Sequence, residues 1–192
     1  MKTEFEVKFY PINKDEFREK LKNNGATLIT PEVKTKAATY NDRANPQIKC
    51  HYIRIRDEGN NVIRLSAKIH ALESGNIADQ KEADVVVNSF SDAVDILELA
   101  GLKQSGYAEK MRETWKLNGA EIVIDTWPDL ETLIEIEADS EEKVKEIATL
   151  LNLPWEEKII TSVAEIYMKK YNLSLEEVLK KMECVTFDNN PF

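Results

Sequence analysis

Two carboxylates and one ammonium group occupy alternate positions near the start of the chain, at Glu4, Glu6 and Lys8. Residues two apart share one face of a β-strand, so these side chains point together while Phe5 and Val7 point to the other face. Carboxylates are the ligands that hard divalent cations prefer, and a neighbouring ammonium attracts phosphate oxygens. Taken alone, however, this pattern is more often the solvated outer face of a sheet.

The same alternation of charged and apolar residues recurs in the later predicted strands. Charged side chains keep to one parity in each strand, and mostly apolar side chains fill the other. If helices cover the apolar faces, the charged faces line a common interior, where unpaired charge is costly and requires a partner, a metal or a ligand. These faces carry seven acids and seven bases, namely Glu4, Glu6, Glu82, Asp84, Asp125, Glu135 and Glu137 against Lys8, Arg54, Arg56, Arg64, Lys68, Lys110 and Arg112.

This arrangement of charges predicts a metal-assisted polyphosphate site. Clustered carboxylates suit Mg²⁺ or Mn²⁺, and several Arg and Lys side chains suit phosphate oxygens. The sequence contains no glycine-rich phosphate loop, no nucleophile elbow and no HExxH motif, so several common enzyme chemistries have no support. A covalent protein nucleophile is not required at such a site.

The composition indicates a single cytoplasmic domain. The chain has 192 residues, of which 32% are charged and 42% hydrophobic, as in ordinary globular proteins. Its net charge of -9 disfavours nucleic acid and anionic membranes, and no apolar run reaches the roughly 18 residues of a membrane span. Cys50 and Cys184 lack metal-ligand spacing, which is typical of reduced thiols. We therefore expect no nucleic-acid or membrane partner, and the oligomeric state stays open.

The periodicity predicts an α+β order of elements. Strands are expected at 4–9, 27–29, 34–40, 52–56, 62–69, 81–87, 108–117, 121–126 and 132–138. Helices are expected after a capping box at 13–16 and at 91–99, 140–151, 162–171 and 174–182. A polar loop is expected at 41–47, a hairpin turn is expected at 57–61, and the last ten residues are expected to form a loose tail. Trp115, Trp127 and Trp155 lack interleaved basic residues, so we interpret them as packing aromatics rather than a base-stacking platform.

In their order along the chain, the charged residues resemble the CYTH superfamily, the triphosphate tunnel metalloenzymes. The matching positions are Glu4, Glu6, Lys8, the strand Ile53-Arg54-Ile55-Arg56, Lys68, Glu82, Lys110, Arg112, Asp125, Glu135 and Glu137. The resemblance spans nearly the whole chain and implies an α+β fold, an eight-stranded antiparallel β-barrel tunnel with helices packed on the outside. It places the CYTH domain at 1–182 and a C-terminal tail at 183–192.

The resemblance also implies a role for each matching residue. The set expected to hold Mg²⁺ or Mn²⁺ is Glu4, Glu6, Glu82, Asp125, Glu135 and Glu137. The set expected to bind the substrate phosphates is Lys8, Arg54, Arg56, Lys68, Lys110 and Arg112. Glu6, Glu137 and Lys8 are the expected catalytic residues. Arg64 and Asp84 match the family pattern less closely, so we leave them outside the site as an ion pair at the tunnel edge.

Members of this superfamily include thiamine triphosphatase, inorganic triphosphatases and class IV adenylyl cyclase. We expect a triphosphatase, in which water attacks the terminal phosphorus of the substrate. The His-Phe element that precedes the first motif in some cyclase relatives does not stand before Glu4, which weakens the cyclase alternative. A noncatalytic triphosphate-binding module and a scaffold of internal salt bridges are further alternatives. Inorganic triphosphate, thiamine triphosphate and ATP all stay open as the small-molecule substrate.

Overall fold

The computed structural model of the chain describes residues 1–41, 52–69 and 77–192. Cys50 and all but the first residue of the loop expected at 41–47 lie outside these described residues. Within the described part of the chain, no helix combines the length and the apolar character needed to cross a membrane.

The described residues form ten strands and five α-helices, in mixed order along the chain. The strands are β1 (Lys2–Thr3), β2 (Phe5–Phe9), β3 (Thr27–Tyr40), β4 (Tyr52–Asp57), β5 (Ile63–Ile69), β6 (Lys81–Val87), β7 (Gln104–Leu117), β8 (Ala120–Thr126), β9 (Leu133–Ala138) and β10 (Cys184–Val185). The helices are α1 (Lys14–Asn23), α2 (Phe90–Leu99), α3 (Glu141–Leu150), α4 (Val163–Tyr171) and α5 (Leu175–Lys181).

All ten strands belong to one sheet, in the order β1-β6-β5-β4-β3-β7-β8-β9-β2, with β10 added parallel to β7. The other pairings are antiparallel. Only Glu4 separates β1 from β2, so these two short strands are one N-terminal run. That run and β3 to β9 make up the eight expected strands, which confirms the α+β barrel.

The N-terminal run closes the barrel because its two halves pair with opposite edges of the sheet, β1 with β6 and β2 with β9. Gln80 reinforces this closure beside the run. The backbone N–H of Glu4 donates to the Gln80 carbonyl oxygen at 3.0 Å, and Gln80 Nε2 donates to the Glu6 carbonyl oxygen at 3.0 Å. Gln80 is buried, so these bonds satisfy polar groups that water does not reach.

Helices cover the outer, apolar face of the barrel. Ile122 on β8 lies opposite Ile136 on β9, and both are fully buried. Leu21 of α1 and Ile147 of α3 belong to the same core cluster. Since successive strand residues face opposite sides, burial of the isoleucines beneath helices directs the charged residues between them into the barrel interior.

β3 is one continuous strand of 14 residues, so the predicted break between 29 and 34 is wrong. The pairing with β7 shifts register on both sides of Thr30, which accommodates the irregular segment around Pro31. Pairing with β4 begins only at Lys36, so Pro31 has a neighbouring strand on one side only. A proline is tolerated at such a position because its missing N–H has no second ladder to interrupt.

The last ten residues are packed rather than loose, contrary to the expected tail. β10 pairs with β7, and Val185 is fully buried. The ring of Phe192 stacks on that of Tyr167 of α4, with 4.0 Å between the ring centroids. These contacts join the C-terminus to a second core cluster formed mainly by α4, α5 and the segment before β9. The domain boundary at residue 182 stays a prediction.

Candidate active site in the barrel interior

The barrel encloses a cavity of about 510 Å³ lined by residues from β2 to β9. This volume falls within the usual range for small-molecule sites. Eleven of the twelve predicted site residues line it, namely Glu4, Glu6, Lys8, Arg54, Arg56, Lys68, Glu82, Lys110, Arg112, Glu135 and Glu137. Asp125 is the twelfth, and it is fully buried beside the cavity without lining it.

Three carboxylates meet in the cavity wall. Glu6 on β2 lies directly opposite Glu137 on β9, and Glu4 immediately precedes β2. One oxygen from each of Glu4, Glu6 and Glu137 lies within 4.8 Å of the other two. Converging oxygen donors at this spacing fit a hard divalent cation such as Mg²⁺ or Mn²⁺.

Two of these three carboxyl groups have raised pKa values. Burial, together with a hydrogen bond to Glu82, raises the pKa of Glu4 to about 8. Burial and the charges of Glu6 and Glu121 raise the pKa of Glu137 to about 7. A bound cation would relieve this repulsion, so the electrostatics of the group agree with its geometry.

The pKa of Glu6 is shifted in the opposite direction, below its usual range. Burial alone would raise its pKa, but the charges of Lys68 and Lys8 outweigh burial and hold the pKa well below its usual range. Lys8 donates a hydrogen bond to Glu6, and Lys68 Nζ lies 3.3 Å from Glu6 Oε2. Lys68 Nζ is also 2.6 Å from Glu4 Oε2. The acidic group is therefore in direct contact with two of the predicted phosphate-binding lysines.

Glu82 lies next to this acidic group on the other side of the barrel seam. It is opposite Lys68 in the pairing of β5 with β6, and it shares a hydrogen bond with Glu4. Arg54 Nη2 is 3.9 Å from Glu82 Oε1. The structure thus places Glu82 at the edge of the predicted metal site, next to the basic side chains of Lys68 and Arg54.

Asp125 and Glu135 are engaged with the cations of β7. Asp125 Oδ2 lies 2.5 Å from Lys110 Nζ and 2.6 Å from Arg112 Nη2, while Arg112 Nε donates to Oδ1 at 2.7 Å. Burial opposes ionisation of Asp125, but Arg112 and Lys110 outweigh it and lower the pKa. Arg112 Nη2 also lies 2.6 Å from Glu135 Oε2. Asp125 and Glu135 lie outside the three-carboxylate group, and their assignment as metal ligands stays a prediction.

Glu58 is a residue that the sequence analysis missed. Arg56 Nη2 and Arg64 Nε lie 2.9 Å and 3.1 Å from Glu58 Oε1. Glu58 follows β4 and is two residues from Arg56, so it has the same parity as Arg54 and Arg56. This parity went unnoticed in the sequence because 57–61 was predicted to be a turn. Arg64 and Asp84 form the expected ion pair, with Nη1 and Oδ2 2.6 Å apart, and neither lines the cavity.

One part of the cavity wall is apolar, and the sequence analysis did not predict it. Its residues are Trp127, Val163, Leu179 and Met182, which we call the apolar wall. Trp127 belongs to the second core cluster, as expected of a packing aromatic, but it also lines the cavity. Its ring lies beneath Lys110, with Nζ 5.2 Å from the ring centroid. The ammonium group of Lys110 on β7 therefore lies next to an apolar surface.

A barrel of this kind, with acidic and basic side chains converging inside it, defines a tunnel protein that suits polyanionic ligands. The sequence pattern of the CYTH domain matches residues 2–163. The chain therefore belongs to the CYTH domain family. No curated protein matches it significantly.

Several solved structures share the fold. A conserved protein of unassigned function from Pyrococcus furiosus is 22% identical with a TM-score of 0.68, covering 83% of this chain and 96% of its own. A proposed adenylate cyclase from Vibrio parahaemolyticus is 15% identical with a TM-score of 0.71, covering 86% and 98%. The proposed adenylyl cyclase HpAC1 from Hippeastrum, described as having a dominant triphosphatase activity, is 13% identical with a TM-score of 0.58, covering 92% and 99%.

Proposed function

We propose that this protein is a divalent-metal-dependent triphosphatase that hydrolyses inorganic or organic triphosphates inside the barrel. The observation that carries the proposal is a cavity in which three converging carboxylates lie together with three lysines and three arginines. Membership of the CYTH family, whose members are generally triphosphatases or cyclases, supports it.

The charge balance of the cavity favours a polyanion bound together with cations. Six acids and six bases are among its described lining residues, with Glu121 added to the predicted acids. A triphosphate carries several negative charges, so binding it alone would leave the interior strongly anionic. Mg²⁺ or Mn²⁺ at Glu4, Glu6 and Glu137 would restore the balance, and when bound it would neutralise and orient the phosphate oxygens.

The basic side chains would bind the substrate through charge-assisted hydrogen bonds to its phosphate oxygens. Arg112 and Lys110 are already oriented by Asp125, and Arg56 is oriented by Glu58. Side chains held in this way lose little further conformational freedom when the phosphates bind. Lys8, which contacts Glu6 and lies 3.7 Å from Glu135, would stabilise the charge that develops on the transferred phosphoryl group.

Hydrolysis requires a water molecule oriented toward the terminal phosphorus. Glu6 or Glu137 would orient this water and accept a hydrogen bond from it. The new bond joins the water oxygen to the terminal phosphorus, and the bond from that phosphorus to its bridging oxygen breaks. The products are orthophosphate and the remaining diphosphate, and the protein forms no covalent bond.

The cyclase reaction is the second candidate, favoured by the likeness of the fold to proposed adenylate cyclases. In that reaction the 3′-hydroxyl of ATP attacks the α-phosphorus, and the pyrophosphate that leaves is held by the same lysine and arginine side chains. A noncatalytic triphosphate-binding module is the third.

We also propose a cytoplasmic location without nucleic-acid or membrane partners, in keeping with the net charge of -9.

Product analysis tests these alternatives directly. The purified protein is incubated with inorganic triphosphate, thiamine triphosphate or ATP and with Mg²⁺ or Mn²⁺, and orthophosphate, pyrophosphate and cyclic AMP are separated. Metal-dependent release of orthophosphate is the expected result. Cyclic AMP with pyrophosphate would establish the cyclase instead, and binding without turnover would establish the noncatalytic module.

A further inference from the structure

The apolar wall has no task in binding a bare triphosphate. Inorganic triphosphate presents only charged oxygens, whereas Trp127, Val163, Leu179 and Met182 offer an indole ring, methyl groups and a thioether. Leu179 is 39% exposed although it is a large apolar side chain. An apolar surface that continues directly from a phosphate-binding site suits a ligand that is apolar at one end and anionic at the other.

Trp127 and Lys110 mark the junction between the two parts of the cavity. The ammonium of Lys110 lies 5.2 Å from the centre of the Trp127 ring, so a phosphate on Lys110 would place its ester substituent beside the indole. A flat indole surface favours a planar ring, which it binds by stacking. The occupant of the wall is therefore best matched by an aromatic ring linked to the triphosphate through a short spacer.

Polar groups near the wall suit the heteroatoms of such a ring. Trp127 Nε1 is buried and has no hydrogen-bond partner within the described part of the chain. Ser162 also lines the cavity, and its hydroxyl does not cap α4. A few polar atoms within an apolar surface are the usual means by which a pocket orients a heteroaromatic ligand.

The charge at the wall favours a neutral ring over a cationic one. None of the four wall residues carries a carboxylate, and Asp125, which neutralises Lys110 beside the wall, is fully buried and also paired with Arg112. A positively charged ring, such as the thiazolium of thiamine, would therefore find no unpaired counterion among these residues. The base of a nucleotide is neutral and meets no such penalty.

We propose that the apolar wall binds the neutral base of a nucleoside triphosphate by stacking on Trp127, while the lysines and arginines hold its phosphates. The proposal rests on the proposed function, because it assigns the substrate class of that same site. Trp127 is then a specificity-determining residue that distinguishes nucleoside triphosphates from inorganic and thiamine triphosphates.

The test compares kcat/KM for ATP with kcat/KM for inorganic triphosphate, in the wild type and in Trp127→Leu. Loss of stacking is expected to lower the ratio of these two values by on the order of 10-fold or more. Trp155→Leu is the matched control, since Trp155 packs near Lys158 and does not line the cavity. An unchanged ratio in Trp127→Leu, with both substrates hydrolysed, would overturn the subsite and leave the triphosphatase intact.

A second variant covers the event that Trp127→Leu fails to fold. Leu179→Trp enlarges a half-exposed side chain of the wall and should fill the space for the base, which also lowers the ratio. A higher kcat/KM for thiamine triphosphate than for ATP in the wild type would contradict the preference for a neutral ring.

Binding is measured independently of turnover by stopped-flow tryptophan fluorescence in Mg²⁺. ATP is expected to quench the emission on mixing, before product forms, and inorganic triphosphate is not. Quenching that persists in Trp127→Leu would overturn the assignment of the ring to Trp127. If ATP neither quenches the emission nor is hydrolysed while inorganic triphosphate is hydrolysed, the subsite is wrong. If neither compound binds or reacts, the proposed function fails as well.

Discussion

Arg112 and Asp125 form a two-point ion pair inside the barrel, with Nε 2.7 Å from Oδ1 and Nη2 2.6 Å from Oδ2. Asp125 is completely buried, and Lys110 contacts it as well. The pairing follows directly from the sheet, because the two residues lie opposite each other on β7 and β8. A carboxylate held in this way fixes two of the predicted phosphate-binding cations before any substrate arrives.

Asp125→Asn should therefore reduce both stability and substrate binding. Removing one charge leaves Arg112 and Lys110 buried with less compensation, which costs about 3 kcal/mol in the free energy of unfolding. Urea unfolding monitored by circular dichroism measures this loss. Asp84→Asn, whose carboxylate is half-exposed at the barrel edge, is the control and should cost less than about 1 kcal/mol. Equal losses of unfolding free energy in the two variants would show that the buried ion pairs of Asp125 contribute no more to stability than the half-exposed pair of Asp84.

Glu137→Gln should abolish metal-dependent turnover without destabilising the metal-free protein at pH 8. Its pKa is raised to about 7 by burial and by Glu6 and Glu121, so the ionised form is disfavoured in the fold. A neutral amide removes that penalty but also removes a cation ligand. Mn²⁺ titration by calorimetry should show weaker binding, and thermal unfolding in EDTA should show an unchanged or higher melting temperature. Full activity in this variant would remove Glu137 from the site.

Arg56→Ala should weaken the interaction with substrate by about 1.5 to 3 kcal/mol, the usual cost of losing a charged hydrogen bond. The change appears in kcat/KM for inorganic triphosphate. Arg64→Ala is a close control, because Arg64 lies opposite Arg56 in the sheet, contacts the same Glu58 and does not line the cavity. Parallel losses in the two variants would indicate a structural effect instead of contact with phosphate.

Glu58→Gln should lower stability at neutral pH but not in acid. Burial opposes ionisation of Glu58, yet Arg56 and Arg64 outweigh burial and lower the pKa below its ordinary value of 4.5. A depressed carboxyl pKa contributes stability above that ordinary value, and the contribution is lost as the pH falls through the folded-state value. Urea unfolding at pH 7 should show a deficit of about 1 kcal/mol, and the deficit should shrink as the pH falls below the ordinary carboxyl value of 4.5. A constant deficit across this range would contradict the ion-pair role.

Much of the barrel followed from the sequence because side-chain parity is a local property. Charged residues two apart, such as Arg54 and Arg56, share a face in any regular strand, whatever the strand pairs with. The apolar residues between them, such as Ile55, are buried on the opposite face. The alternation in the strands was thus sufficient to predict a charged interior, and eleven of the fourteen charged residues on that parity line the cavity.

Pairing across the barrel depended on tertiary structure. The role of Asp125 as a metal ligand stays a prediction, and its contacts with Arg112 and Lys110 could not be read from the sequence because strand register decides them. Glu58 was read as part of a turn, although it contacts Arg56 and Arg64 from that position. Register and turn geometry decide such contacts, and neither is encoded in the spacing of residues along one strand.

The sequence alone therefore determined the class of fold and the charge of its interior, because both depend on the alternation of side chains within each strand. Only the tertiary structure decided which acids meet each other, where Trp127 adjoins Lys110, and that β10 and Phe192 pack against the domain. These contacts join residues far apart in the chain, so their geometry arises only when the barrel closes and α4 and α5 dock on it.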